Sequence, residues 1–320
     1  MIKNKPLSVV FGAGGFIGSH LVNELVNKGF KVIAVSRSKK IPNHININKD
    51  IKWLLWTKAE KTIQKISNID NNFSVFHLAA NLDYQQSIDS PEKFLQINTN
   101  ITFNLLKILK LANFSGKIIY LSSDRVFGKK RGIIDETELP QPIDYYGLSK
   151  YLSEEILKPF STKSNNELLI IRCVNVYGSF QSSSQLLPSI ISQLRLGLKD
   201  ISVGNLNNSR SYIYIDDLIS AFIKLINYKP SSNYEYFHIG TPPIKLDNIT
   251  KTISSFAAKK FDNKINFIKK ENLVRPKKSE IGNFVFNTNK AEKYLGWNVN
   301  FNLESGIEQL LINEQIFNAE

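Results

Sequence analysis

The stretch VVFGAGGFIGSH, Val9 to His20, runs from a β-rich segment into a helical pattern. Gly12, Gly15 and Gly18 fall three apart, and Gly14 adds a fourth glycine. A tight strand-to-helix turn needs residues tolerant of unusual φ. A backbone that closely approaches a pyrophosphate has no room for a side chain, and the phosphate then meets the N–H groups of the helix N-terminus. In isolation such a pattern is common. Its place after an N-terminal strand and before an amphipathic helix makes it a dinucleotide-binding signature.

Working outward, LSVVF reads as the first strand, and Ile17, Leu21 and Leu25 recur at helical spacing up to Gly29. KVIAV, SVFHLA, KIIYLSS and ELLIIR read as further strands, with a long helical pattern from Pro91 to Ala112. Continuous apolar strands between helices imply a parallel sheet covered on both faces. After residue 175 the order loosens, with helical patterns around 185–196, 216–227, 246–258 and 303–317. The expected fold is α/β, a Rossmann-type doubly wound parallel sheet with a smaller, mixed C-terminal substrate-binding domain. We divide it into a dinucleotide-binding domain over 1–175 and a mainly substrate-binding domain over 176–320. A segment near 206–245 is expected to return to the first domain, and the ligand cleft lies between the two.

About 20 residues past such a glycine loop, NAD binders place an acid on the ribose 2′-hydroxyl. Here the second strand ends in Ser36 and Arg37. A carboxylate repels a 2′-phosphate, whereas Arg37 attracts one and Ser36 can donate to it. NADP is therefore expected over NAD.

The 320 residues carry a net charge of +13, are 42% hydrophobic and include one cysteine, Cys173, which excludes an intrachain disulfide. The lysines are scattered, without the basic stripe and interleaved aromatics of a nucleic-acid surface, so the charge reads as a solvated surface with a cleft that prefers anions. No stretch approaches the roughly 20 apolar residues of a membrane span. Neither a nucleic-acid nor a membrane partner is expected, no metal site is read, and the expected compartment is the cytoplasm. Cys173 follows an apolar strand and reads as core.

Residues 145–150, YYGLSK, set Tyr146 four residues before Lys150, on one helix face. A free tyrosine titrates near pH 10, and bringing it to about 7 requires about 4 kcal/mol. One ammonium about 4 Å away supplies a field of about that size at an effective dielectric of 20. With a dinucleotide upstream, Tyr146 can move a proton on or off a sugar or alcohol oxygen while hydride passes at carbon.

At this point the sequence resembles the extended short-chain dehydrogenase/reductases, the sugar-nucleotide epimerase/dehydratase family, over nearly its whole length. GAGGFIG matches the cofactor loop, FHLAA at 76–80 and QSIDSP at 86–91 the segment beside the cofactor, and INTNITFNLL the following helix with Asn98. YLSSDRVFG matches the strand carrying the catalytic Ser or Thr, which falls on Ser123, and YYGLSK supplies Tyr146 and Lys150. IRCVNVYG, NSRSYIYIDDL and RPKKSEIGNFVFNTNKAEKYLGW match the segments that open onto the substrate.

The resemblance implies catalysis by Ser123, Tyr146 and Lys150. It implies a cofactor held by Gly12, Gly15, Phe16, Ile17, Gly18, Ser36, Arg37, Leu78, Ala79, Ala80, Asn98, Ser122, Tyr146, Lys150 and Val174. It places Ser123, Asn175, Arg210 and Arg275 on a nucleotide-diphosphate sugar, the two arginines on the diphosphate. His77 reads as a packed strand residue, not an acid–base. A homodimer is expected through the helix of residues 91–112 and that of Tyr146, with Leu105, Leu106, Leu109, Leu148 and Leu152 as apolar contacts.

The 4,6-dehydratases of the family carry an Asp-Glu pair after the catalytic Thr, where this chain has Asp124 and Arg125. Arginine stays protonated and is no base. The reductases that also epimerise C3 and C5 place a cysteine where Asp124 stands. Two reactions stay open: reduction of a 4-keto sugar nucleotide by dissociable NADPH, narrowly favoured by Ser36 and Arg37, and 4-epimerisation with tightly bound NAD. A non-catalytic NADP-binding sensor is a third reading, against which the Ser123, Tyr146 and Lys150 set argues.

Overall fold

The structure is a computed structural model of the chain and describes residues 5–68, 73–164, 166–182, 185–261, 264–270 and 282–316. The chain opens with strands β1 (Leu7–Phe11), β2 (Lys31–Ser36), β3 (Ile51–Leu55), β4 (Ser74–His77) and β5 (Lys117–Ser123). A 3-10 turn over Asp124–Phe127 and the short β6 (Gly132–Ile134) precede β7 (Glu167–Cys173). Then come β8 (Asn175–Tyr177), β9 (Asp200–Val203), β10 (Ser209–Arg210), β11 (Tyr212–Tyr214) and β12 (Tyr234–Ile239). Among the described residues, seven of these form one sheet in the order β3-β2-β1-β4-β5-β7-β12, and every neighbouring pair is parallel. The order reverses between β1 and β4, and their carboxyl ends open the crevice where such sheets bind ligands.

The helices are α1 (Phe16–Asn27), α2 (Trp56–Ser67), α3 (Tyr84–Asp89), α4 (Pro91–Leu111), α5 (Tyr145–Ser164), α6 (Leu186–Arg195), α7 (Ile215–Asn227), α8 (Leu246–Phe261), α9 (Asn289–Leu295) and α10 (Leu303–Asn313). The side chains of each strand alternate between two cores, as a period of two demands. Val9, Phe11, Val75, Ile118 and Ile170 meet Ile63 of α2, Leu105 and Leu109 of α4 and Leu157 of α5. Val10, Phe76, Ile119 and Ile171 meet Leu21 and Leu25 of α1 and Leu218 and Phe222 of α7. This corrects part of the expected dimer face: Leu105 and Leu109 are fully buried against the sheet.

Short strands tie the later chain to this body. Strand β11 pairs with β8, β13 (Ile244–Lys245) with β10, β14 (Asn266–Lys269) with β9, and β15 (Phe284–Phe286) with β6. The buried Asp217 of α7 accepts from the backbone N–H groups of Asn300 (2.9 Å) and Phe301 (3.1 Å), and its carbonyl accepts from Trp297 Nε1 (2.9 Å). Residues 51–67, to which the sequence reading assigns nothing, form β3 and α2. The strand passes straight into the helix at Leu55, with no turn residue and no capping side chain to mark the boundary.

One buried cation joins the sheet to α7. Lys117, 8% exposed, donates from Nζ to the carbonyls of Leu225 (3.1 Å), Ile226 (2.7 Å) and Tyr228. These lie at the C-terminal end of α7, where the helix leaves carbonyls without intrahelical partners and favours positive charge. Lys117→Met keeps the aliphatic stem and removes these bonds. We expect it to lower unfolding free energy by about 2–3 kcal/mol, the scale of charge-assisted bonds lost from a buried site. Urea unfolding measures this, and an unchanged midpoint would show that the contact contributes nothing.

Candidate active site

The glycine loop leaves β1 at the crevice. Gly12 has φ +91°, and a Cβ there would sit 2.8 Å from the backbone nitrogen of Ala79. A Cβ on Gly18 would sit 2.2 Å from the Gly12 carbonyl oxygen, and one on Gly14 would sit 2.7 Å from Ser36 Oγ. The N–H groups of Gly12 and Ala13 both donate to Val35 O, at 3.0 and 3.1 Å, which presses the loop onto the end of β2. No side chain caps the start of α1 and no acid stands in its first turn. Its N-terminal N–H groups and dipole are thus directed to an anion. Phe16 and Ile17 of that turn pack on the core. Leu78, Ala79 and Ala80 form the opposite wall beyond β4, anchored by Leu78 N to Phe11 O at 3.0 Å.

At the end of β2, Ser36 is 7% exposed, and its Oγ accepts from Ser38 N at 3.2 Å. A hydroxyl that accepts from backbone keeps its own proton to donate. Arg37 is exposed.

Strand β5 delivers Ser123 to the same edge of the sheet. The turn that follows is bound to the start of α5: Arg125 donates to Asp144 Oδ2 from Nε (2.9 Å) and Nη2 (2.5 Å), while Asp144 Oδ1 accepts from Gly147 N (2.8 Å). The approach is close enough that a Cβ on Gly147 would meet Arg125 O at 2.5 Å. Tyr146 is therefore set beside Ser123 and Asp124, both of which act on its phenol. Ser123 Oγ donates to Asp124 Oδ1 at 3.0 Å.

Lys150, one turn on, donates to Leu121 O at 2.6 Å, and its ammonium lies 4.9 Å from the centre of the Tyr120 ring. Burial pushes Lys150 down to about 8, against the opposing pull of Glu154. Burial first, and then the charge of Asp124, hold Tyr146 above the ordinary tyrosine range, outweighing the Ser123 hydrogen bond and Arg125. Burial also raises Asp124 to about 6, against the pull of Arg125, Ser123 and Arg210.

Asn98 of α4 ties the wall after β4 to α5. Its Oδ1 accepts from Asn81 N (2.7 Å), and its Nδ2 donates to Ser149 Oγ (3.0 Å), which in turn donates to Tyr146 O (2.8 Å). His77 is fully packed: Nε2 meets Thr102 Oγ1 at 3.0 Å, and burial drives it down to about 3. Ser122 Oγ donates to Glu154 Oε1 at 2.5 Å. Glu154 forms a buried pair with Arg172 at 2.8 Å, which the sequence reading did not single out. The signal was Glu154 itself, four residues past Lys150 and on the stripe of Tyr146.

Val174 is 5% exposed, and Asn175 donates from Nδ2 to Ser211 O at 3.0 Å. Arg210 is half-buried and acts on Asp124 from β10. Arg275 lies outside the described residues. Ser123, Asp124 and Tyr146 thus come together at the carboxyl edge of the sheet, where the charge of Arg210 reaches Asp124, Lys150 stands one helical turn behind Tyr146, and the glycine loop lies along the same edge. Among the described residues no group of three or more His, Cys, Asp or Glu side chains is placed to hold a metal ion.

Residues 8–240 match the model of the NAD dependent epimerase/dehydratase family. A Methanocaldococcus jannaschii protein provisionally named UDP-glucose 4-epimerase is 28% identical over 95% of this chain and 96% of its own. An Escherichia coli dTDP-4-dehydro-6-deoxyglucose reductase is 25% identical over 95% of this chain and 96% of its own. The solved structure of MoeE5 in complex with UDP-glucuronic acid and NAD superposes with a TM-score of 0.80 at 22% identity, over 97% of this chain and 98% of that one. The chain belongs to the NAD dependent epimerase/dehydratase family, the extended short-chain dehydrogenase/reductases that act on sugar nucleotides.

Proposed function

We propose that the chain is a reductase of 4-keto-6-deoxy sugar nucleotides that uses NADPH. The observation that carries this reading is the end of β2, where the Ser36 hydroxyl keeps a proton to donate beside the exposed Arg37 and no carboxylate follows. The residues present fit a dinucleotide: the cradle at Gly12, Gly14 and Gly18 is one that a Cβ would fill, and α1 begins beside it without a cap. When bound, the dinucleotide supplies the hydride. The remaining tasks belong to the chain.

A keto sugar needs a proton on O4 as it is reduced. Tyr146, held protonated by burial and by Asp124, suits a donor better than a base. Ser123 is the second donor to that oxygen. Lys150, anchored on Leu121 O, holds the floor behind Tyr146 and faces the cofactor ribose. Asn98 fixes the wall after β4 and the first turn of α5 in one register. Val174 and Asn175 border the sugar, and Arg210 with Arg275 meets the diphosphate. Arg125 occupies the place of the dehydratase glutamate and is bound to Asp144, which leaves no base there for C5. The E. coli relative's name, a 4-dehydro-6-deoxyglucose reductase, agrees with this chemistry.

In the same proposal, residues 1–175 hold the dinucleotide, residues 176–320 mainly the sugar nucleotide, and the segment near 206–245 returns through β12 to the sheet edge. Among the described residues no helix is long and apolar enough to cross a membrane; the cytoplasm is part of the proposal. So is a homodimer through the outer faces of α4 and α5, where Leu106, Leu148 and Leu152 are partly exposed and Phe103 is 54% exposed.

Three measurements follow. Tyr146→Phe is expected to lower turnover of a 4-keto sugar nucleotide at least ~100-fold, the effect of a lost general acid, with dinucleotide affinity nearly unchanged. Lys150→Met is expected to weaken dinucleotide binding as well. A Tyr146→Phe rate near wild type would remove Tyr146 from the mechanism. NADPH should bind more tightly than NADH by the ~1.5–3 kcal/mol of a charge-assisted hydrogen bond. That is about 10- to 150-fold, and Arg37→Ala should reverse much of it. Tighter binding of NADH by the wild type contradicts the cofactor assignment. Light scattering should give twice the 36.4 kDa chain mass, with Phe103→Glu shifting the protein to monomer. A monomeric wild type at micromolar concentration rejects the dimer.

A further inference from the structure

We infer that Asp124 decides whether the site accepts a ketone or an alcohol at the reacting carbon, by competing for the one hydroxyl proton of Ser123. The inference rests on the oxidoreductase reading above and goes beyond it. Asp124 acts through Ser123 and is therefore a positioning residue.

A serine hydroxyl has one proton and two acceptor lone pairs. One lone pair of Ser123 takes the backbone N–H of Arg125 at 3.2 Å, and the proton goes to Asp124 Oδ1 at 3.0 Å. Ser123 and Asp124 are 7% and 5% exposed, so bulk water does not substitute for either partner. Tyr146 lies close enough for the charge of Asp124 to act on its phenol, and the sugar oxygen is to sit between that phenol and Ser123.

With Asp124 ionised, the Ser123 proton is held by the carboxylate. Towards a ligand Ser123 then offers only a lone pair, which suits the O–H of an alcohol. With Asp124 protonated, the acid O–H donates to Ser123. Both serine lone pairs are then filled, by Arg125 N–H and by the acid, and the serine proton is free to donate to a carbonyl oxygen. A buried donor or acceptor left without its partner discriminates between the two ligands by about 5- to 150-fold. In the overall reaction, ketone plus hydride plus one proton gives alcohol. Reduction therefore converts the sugar oxygen from acceptor to donor: Tyr146 gives its proton to that oxygen, Ser123 gives its own to the phenolate and takes the proton of Asp124, and the carboxylate left behind matches Ser123 to the product.

The charged and titratable groups facing Asp124 are Arg125 on its own turn, Tyr146 from α5, Arg210 from β10 and Cys173 from β7. Burial pushes both the Cys173 thiol and the Tyr146 phenol up, and the arginines stay charged, so Asp124 is the group among them that titrates at mildly acid pH.

The test is the pH dependence of kcat/KM in both directions, from roughly pH 5 to 8, for wild type and Asp124→Asn. The probes are dTDP-4-dehydro-6-deoxyglucose with NADPH, and the isolated 4-hydroxy product with NADP+. In wild type, reduction should be flat at acid pH and fall about tenfold per unit above the Asp124 titration. Oxidation should rise about tenfold per unit below it and then level, as one shared proton requires. The amide of Asp124→Asn carries N–H groups at every pH, like the protonated acid. Its reduction profile should stay flat and its oxidation profile should keep rising past the wild-type break. The shape of the profiles is the readout, whatever their height. If the amide does not fold, Asp124→Ser, which also has no carboxyl, carries the same expectation. A break at the same pH in the variant, or no break in wild type, overturns the inference while leaving the reductase reading intact. A wild type that reduces no 4-keto sugar nucleotide at any pH overturns both.

Discussion

Gly12 and Gly18 pass each other so closely that a Cβ on the second would lie 2.2 Å from the carbonyl of the first, and much of the site depends on that approach. It lets α1 begin immediately after β1, at the edge of the sheet where the strand order reverses. Because every neighbouring pair in the sheet is parallel, the ends of β2, β4, β5 and β7 reach the same edge. Ser36, Leu78, Ser123 and Val174 are brought there by strand direction, from positions far apart in the chain. A side chain on Gly18 would push α1 away from the end of β1, and one on Gly12 would press on the backbone of Leu78 and Ala79.

The chemistry on this frame depends on which polar groups are already engaged. The ammonium of Lys150 donates to Leu121 O, and its field is opposed by Asp124 next to the phenol and by Glu154 below. Burial then prevails, and Tyr146 keeps its proton. The lysine field that Coulomb's law allows is large enough to lower a tyrosine, yet the same burial that strengthens it also penalises the phenolate. A proton-bearing phenol beside a serine suits protonation of a carbonyl oxygen. The engagement of Arg125 with Asp144 serves the same end, since it fixes Tyr146 against Ser123 and fills the place of a dehydratase base.

Much of this was legible in the sequence because it depends on local pattern. The β1–α1 glycines, the apolar strands and the four-residue spacing of Tyr146 and Lys150 each carry their geometry with them. Strand β3 and helix α2 escaped because Leu55 ends one and caps the other with no turn residue between. Leu105 and Leu109 show that helical spacing identifies an apolar face without saying what covers it. The Ser122 hydroxyl, one residue before Ser123 on β5, is taken up by Glu154 of α5, a pairing that no local spacing announces. The Asp144 clamp, the Glu154–Arg172 pair and the burial of Asp124 join residues from separate elements, and no spacing rule announces them.

The central claim is net reduction at C4 of a keto sugar nucleotide, and isotope transfer tests it most directly. NADPH bearing deuterium on the transferring carbon of its nicotinamide is incubated with the protein and dTDP-4-dehydro-6-deoxyglucose, and the sugar product is examined by mass spectrometry and NMR. The account requires one deuterium at C4 of the product and one NADP+ formed for each sugar reduced. No deuterium in the sugar and no NADPH consumed, together with inversion at C4 of a 4-hydroxy sugar nucleotide supplied in its place to protein that carries NAD through purification, would contradict it and establish a 4-epimerase.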